Sequence, residues 1–110
     1  MKGTFLGEFE ELVLLTIGSL KDEAYGVSIK LDIEARAGRI PSIGALHSAL
    51  HRLEEKGFIK SREGGSTQVR GGRRKRFYTL TAHGKQALVR SHNLRHQLFQ
   101  LVPGLKFNVK

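Results

Sequence analysis

The sequence predicts a mainly α-helical fold that carries one small β-hairpin. Three observations predict it. Apolar residues recur at steps of three and four in three successive segments between Glu8 and Lys56, and again from Ala82 to Leu101. Between Phe58 and Leu80 the helical period is lost, and two short strand-like runs flank a glycine-rich polar stretch. Polar, proline and glycine punctuation at 21–23, 38–42, 57 and 103–104 separates the segments. The order is helix, helix, helix, hairpin, helix.

Each element has its own signals. The first helix spans Glu8 to Leu20, with Phe9, Leu12, Val13, Leu15, Thr16, Ile17 and Leu20 as its apolar set and acids in its first turn, where the helix dipole favours them. Lys21-Asp22-Glu23 is a polar break. The second helix runs from about Tyr25 to Ala37, with Val27, Ile29, Leu31 and Ile33 among its apolar positions, and Gly38 suits a left-handed C-cap. After Pro41, Ser42 is placed to cap a third helix from Ile43 to Lys56. Ile43, Leu46, Leu50 and Leu53 form its single apolar stripe, and Gly57 ends it. Phe58 to Glu63 and Lys75 to Leu80 read as the two strands. Gly64, Gly65, Gly71 and Gly72 flank the polar loop that joins them. Thr81 caps a last helix from Ala82 to about Leu101, stopped by Pro103-Gly104.

At 110 residues the chain holds one hydrophobic core. It contains no Cys, which excludes disulfides, thiol catalysis and Cys-based zinc sites. The net charge of +9 points to a polyanionic partner, nucleic acid before others. This charge is unevenly placed. Residues 1–55 carry six basic against nine acidic residues, a net of −3, whereas residues 56–110 carry thirteen against one, a net of +12. Leu12 to Leu20 is apolar, but Glu8, Glu10 and Glu11 occupy the place where a signal peptide needs positive charge, and the run is too short to span a bilayer. The expectation is a soluble, cytoplasmic protein with no membrane partner.

Three helices followed by a two-stranded hairpin is the order of a winged helix-turn-helix. With one apolar stripe, the third helix can pack on the first two and leave its other face for a DNA major groove. That face carries Gly44, Ala45, His47, Ser48, His51 and Arg52, small or hydrogen-bonding groups. The hairpin tip, Gly71-Gly72-Arg73-Arg74-Lys75, offers cations on a pliant backbone for phosphates or a minor groove.

Four stretches also carry a resemblance to the PadR-type transcriptional regulators of bacteria. They are Phe9 to Leu15 (FEELVLL), Tyr25 to Ile29 (YGVSI), Gly44 to Ile59 (GALHSALHRLEEKGFI), and Gly72 to Thr81 (GRRKRFYTLT) with Gly84. Together they extend over roughly residues 5–85, and the third and fourth are specific in combination. The resemblance implies a winged-helix domain over residues 1–81, a C-terminal dimerisation helix over 82–102 and a tail at 103–110. It implies a homodimeric repressor bound to double-stranded, palindromic operator DNA, with no cofactor. By position, Gly44 to Arg52 becomes the recognition helix, with Ser42 at its head, and Arg70, Arg73, Arg74 and Lys75 the wing that grips the backbone. His47 stands where the family commonly has Tyr, which removes that hydroxyl. A small-molecule effector is a further candidate partner, but family members that bind planar drugs use Trp in the last helix, and this chain has none.

In the last helix Leu88, Leu94, Leu98 and Leu101, with Ala87 and Val102, fall at heptad-like steps and make the candidate dimer seam. Packing of the same stripe on the domain's own first helix is the competing expectation. Other constellations carry less. His47/His51 and His92/His96 have the i, i+4 spacing of a metal chelate but no third ligand, so no metal site is expected. Glu54 and Glu55 point about 100° apart on a helix and cannot converge on one substrate. The paired glycines match no phosphate-loop pattern. Tyr25, Phe77 and Tyr78 lie close to basic residues, as in proteins that stack single-stranded bases, yet their positions favour the core for at least half of them. No catalytic set survives, so an enzyme is not expected. The alternative to a specific regulator is a nucleic-acid-binding accessory protein without sequence preference.

Overall fold

A helix needs its first amides satisfied before it can pack, and each helix here achieves that from its own sequence. In this computed structural model, which describes residues 5–64 and 75–105, α1 spans Glu8–Leu20, α2 Gly26–Ala37, α3 Ile43–Glu55 and α4 Ala82–Leu101. The strands are β1 (Ile59–Glu63) and β2 (Arg76–Leu80). Glu10, the third residue of α1, accepts from the Gly7 amide at 3.2 Å, and Ser28 of α2 accepts from the Tyr25 amide at 2.9 Å. Ser42 Oγ accepts from the Ala45 amide at 3.0 Å, and Thr81 Oγ1 from the Gly84 amide at 2.9 Å. Gly38 and Gly57 close α2 and α3 at φ +68° and +80°, a region that disfavours residues with a Cβ. The polar break at Lys21–Glu23 is a single 3₁₀ turn.

The core forms where the apolar faces of α1, α2 and α3 meet beneath the hairpin. Val13, Leu14 and Ile17 come from α1, Ile29 and Ile33 from α2, and Leu46, Ala49, Leu50 and Leu53 from α3. Phe58, Ile59, Tyr78 and Ala87 complete it. Three assignments of the sequence pattern are corrected. Ile43 is 56 % exposed, and Ala49 takes its place in the buried stripe of α3. Leu15 is half exposed while Leu14 is fully buried. Val27 and Leu31 face solvent, so α2 contributes Ile29 and Ile33 to the interior. In each case a periodic apolar residue lies just beyond the arc that its neighbours cover.

The strands pair antiparallel with Ile59 opposite Leu80, Ser61 opposite Tyr78 and Glu63 opposite Arg76 on one face. Lys60 opposite Thr79 and Arg62 opposite Phe77 lie on the other. The chain entering α2 adds a third rung at the free edge of β2. Tyr25 bridges Phe77 there, and the Tyr78 amide donates to the Ala24 carbonyl at 2.9 Å.

The start of α4 is pinned to the turn between α3 and β1. The Thr81 amide donates to the Phe58 carbonyl at 3.0 Å, and its hydroxyl donates to the Gly57 carbonyl at 2.6 Å. Gly84 is buried where α4 crosses Phe58. Beyond Ser91 every described residue from His92 to Leu105 is exposed, and Arg95 is tied to α1 through Glu11 at 3.1 Å. Packing of the whole apolar stripe on α1 is therefore not what happens. Ala87 is buried and Leu88 packs against the core, whereas Leu94, Leu98 and Leu101 are 55 %, 54 % and 76 % exposed.

Candidate nucleic-acid interface

At 100° per residue, the buried line Leu46-Ala49-Leu50-Leu53 places Gly44, Ser48 and His51 on the opposite side of α3, flanked by His47, Ala45 and Arg52. All six are exposed, and so is Ser42. A Cβ added at Gly44 would meet nothing within 4 Å, so the head of this face is open. Ser42 Oγ is occupied as acceptor by the cap, which leaves its proton free to donate.

Farther along α3 the face becomes acidic and internally paired. His51 Nε2 lies 3.3 Å from Glu55 Oε2. Glu54 Oε2 accepts from Ser61 Oγ at 2.8 Å, and Arg76 donates to the same hydroxyl at 3.0 Å, which ties the helix to the hairpin. Small neutral groups thus lead the exposed face and carboxylates close it. A helix of this kind approaches a polyanion with its N-terminal half.

Arg52 is held in a way its sequence neighbours do not suggest. Its Nε donates to Glu10 Oε2 of α1 at 2.6 Å, whereas Glu54 and Glu55 are occupied elsewhere. Lys56 Nζ donates to the other oxygen of Glu10 at 2.7 Å and to the Phe5 carbonyl at 2.8 Å. The Glu10 side chain is only 8 % exposed. Burial pushes its carboxyl up, but hydrogen bonds from Lys56, Arg52 and the Gly7 amide outweigh that and hold it below the usual carboxylate range. In the sequence Glu10 marks a helix start and argues against a signal peptide, and nothing local to it shows this pairing. The available signal was the i, i+4 pair Arg52/Lys56 at the end of the helix that must pack on α1.

In the wing, Arg70, Arg73 and Arg74 lie outside the described residues. Lys75 is exposed, and its Nζ sits 4.2 Å from the centroid of the Tyr25 ring. The Gly64 amide donates to the Lys75 carbonyl at 2.6 Å. Gly64 is buried against Phe77, and a Cβ there would collide with that ring. Tyr78 is in the core and Tyr25 and Phe77 are half-buried, which divides the three aromatic residues between core and surface. Arg62, which sequence reasoning left out of the site, lies over Phe77 at 5.0 Å.

Along α4, Leu94 and Leu98 line one side of an open groove of about 490 Å³ whose other side is Phe5 and Leu6. His92 and His96 stack with ring centroids 6.2 Å apart, and His96 Nε2 lies 3.2 Å from Gln100 Nε2. Among the described residues no group of three or more His, Asp or Glu is arranged to hold a metal ion, and no helix is long and apolar enough to cross a membrane.

A three-helix core with an open third helix, a two-stranded wing and a trailing fourth helix defines a winged-helix DNA-binding regulator. The family model for the "Transcriptional regulator PadR-like family" matches residues 13–90, and the chain belongs to that family. Its members are regulators of transcription, not enzymes. A PadR family transcription regulator from Clostridium difficile is 30 % identical, with a TM-score of 0.69 over 84 % of this chain and 93 % of that one. A PadR-like transcription factor from Bacteroides fragilis is similar in fold, with a TM-score of 0.75 at 24 % identity over 89 % of both chains. A Streptococcus transcriptional regulator has a TM-score of 0.70 at 24 % identity over 90 % of this chain and 92 % of that one. No curated protein sequence matches.

Proposed function

We propose that the protein is a homodimeric repressor that binds a palindromic operator in the cytoplasm. The observation that carries this reading is the exposed, uncharged head of α3, free of any covering residue and set beside a hairpin rich in cations. In this reading residues 1–81 bind DNA, 82–102 pair two copies and 103–110 form a tail. Gly44, Ala45, His47, Ser48 and His51 meet base edges, with Ser42 at the groove entrance. Arg52 braces α3 through Glu10 and reaches a phosphate with the half of its side chain that stays exposed. Arg70, Arg73, Arg74 and Lys75 grip the backbone, and affinity comes mainly from them.

The test is competition between a duplex selected from a random pool and an unselected duplex of equal length. Specific readout predicts a preference of about a thousandfold or more at physiological salt. A ratio near one would instead support the accessory, sequence-indifferent reading.

The second copy is assigned to the exposed leucines of α4. Leu94, Leu98 and Leu101 continue past the last residue that their own domain covers, and a two-fold partner would bury them while matching a palindrome. Leu88, drawn into the domain's own core, is a supporting residue and not the centre of the seam. An effector pocket, in this reading, forms between two copies, and none is assigned on a single chain. Light scattering at micromolar concentration should give twice 12.3 kDa for the wild type and 12.3 kDa for Leu98→Asp. A wild-type monomer would defeat the two-fold arrangement.

A further inference from the structure

Among the described residues the cations differ in what holds them. Several on or beside the helices are matched by carboxylates: Lys30 by Glu34, Arg36 by Asp32, Arg52 and Lys56 by Glu10, and Arg95 by Glu11. Arg39 lies over the Phe9 ring at 5.3 Å, but Glu8 neutralises it at 2.5 Å. Arg62 and Lys75 differ. Neither makes a hydrogen bond or ion pair with a described carboxylate, and each rests on an aromatic ring instead.

The sheet register creates this arrangement. Arg62 stands opposite Phe77 in β1–β2, and Phe77 stands opposite Tyr25 at the outer edge, so the three side chains form one row on one face. Lys75, two residues before Phe77, joins the same face. The guanidinium lies 5.0 Å from the Phe77 centroid, the two rings meet edge-on at 5.3 Å, and the ammonium lies 4.2 Å from the Tyr25 centroid. Glu63, the nearest acid in sequence, belongs to the opposite face, in register with Arg76. Both cations are exposed, so their N–H groups on the side away from the rings point to water.

A ring holds a cation in place without cancelling its charge or using up its donors. Two such cations, seated on one rigid row below the wing tip, suit a ligand with repeated anionic oxygens. Within the regulator reading given above, on which this rests, we infer that Arg62 and Lys75, seated on Phe77 and Tyr25, form a phosphodiester-binding site at the base of the wing. The site grips the DNA backbone separately from the tip arginines. Tyr25 and Phe77 are positioning residues that hold the two cations ready.

The experiment is duplex binding across a salt series, on both the selected and the unselected DNA, with thermal melting of each variant. Arg62→Gln with Lys75→Gln should lower the slope of log K against log salt by about 1.8, at about 0.9 per lost phosphate contact, and equally on both duplexes. Its melting should match the wild type, since both heads are exposed. Arg62→Lys should keep the slope and bind several-fold more weakly, because the flat contact with Phe77 is lost. Tyr25→Leu should likewise weaken binding several-fold at an unchanged slope, and Tyr25→Phe should restore it. An unchanged slope in the double variant overturns the site while leaving the regulator reading intact. Wild-type binding by Arg62→Lys and Tyr25→Leu overturns the role of the rings. A wild-type chain that binds neither duplex overturns the regulator reading, and this site with it.

Discussion

Gly84→Ala is expected to unfold the protein at temperatures where the wild type is still folded. The new Cβ would enter the Phe58 carbonyl oxygen and lie 3.0 Å from its carbon and 3.2 Å from Cα. These are backbone atoms on one side of the contact and helix backbone on the other, so no rotamer change relieves the clash. Shifting α4 outward would also break what holds it, since the same Phe58 carbonyl accepts the Thr81 amide and Thr81 caps the helix through Gly84. Overpacking typically costs about 1–3 kcal/mol, and loss of the cap about 1 more, for a sum of about 2–4 kcal/mol. A domain of this size loses about 4–8 °C in Tm per kcal/mol, so a fall of about 8–32 °C is expected in a thermal melt. Gly44→Ala is the internal control, because nothing lies within 4 Å of a Cβ there and its melt should stay within a few degrees of the wild type. A Gly84→Ala melt equally close to the wild type would contradict the packing described for α4.

Replacing Glu10 by Gln should cost about 2–3 kcal/mol at pH 7. Removing one partner of a buried ion pair costs about 3–5 kcal/mol, and the figure is reduced here because Arg52 is half exposed to solvent. The loss has a pH signature. Glu10 has its carboxyl pKa held below the usual range in the folded chain, so its stabilising effect is complete above the pKa of the unfolded carboxyl. It disappears as pH falls through the lower, folded pKa. Wild type and Glu10→Gln should therefore differ most near pH 7 and converge as pH falls below the usual carboxylate range in denaturant titrations. A constant difference across that range would show that Glu10 acts through shape and not through charge. Because Glu10 holds both Arg52 and Lys56 of the segment that ends α3, its loss should also loosen the helix that carries the reading face.

Much of this architecture is local and was legible in the residues. Ser42 and Thr81 cap because a hydroxyl one residue before a helix reaches the amide three residues on, which needs no knowledge of the rest of the chain. Gly38 and Gly57 terminate helices because a left-handed turn penalises a Cβ. The end of α2, both ends of α3 and the start of α4 follow from these signals, and the exposure of Gly44, Ser48 and His51 follows from the apolar stripe of α3. The resemblance to PadR-type regulators, carried by Gly44 to Ile59 and Gly72 to Thr81, anticipated the family that the comparison over residues 13–90 shows.

What escaped was decided by neighbours distant in sequence. Periodicity marks an apolar side but not how wide an arc its neighbours cover, so Ile43 and Leu15 were assigned to an interior that ends just short of them. Glu10 is a hub because α3 delivers Arg52 and Lys56 to it across 42 and 46 residues. Arg62 acquires its ring only through strand register, and Tyr25 joins the row only because the chain entering α2 pairs with β2. Element types, their caps and the charge imbalance of −3 against +12 are properties of the chain itself, since each depends on residues within a few positions of one another. Which cations stay unneutralised depends on which acids folding brings within hydrogen-bond reach. That selection leaves Arg62 and Lys75 without carboxylates, and it turns a basic sequence into a directed surface.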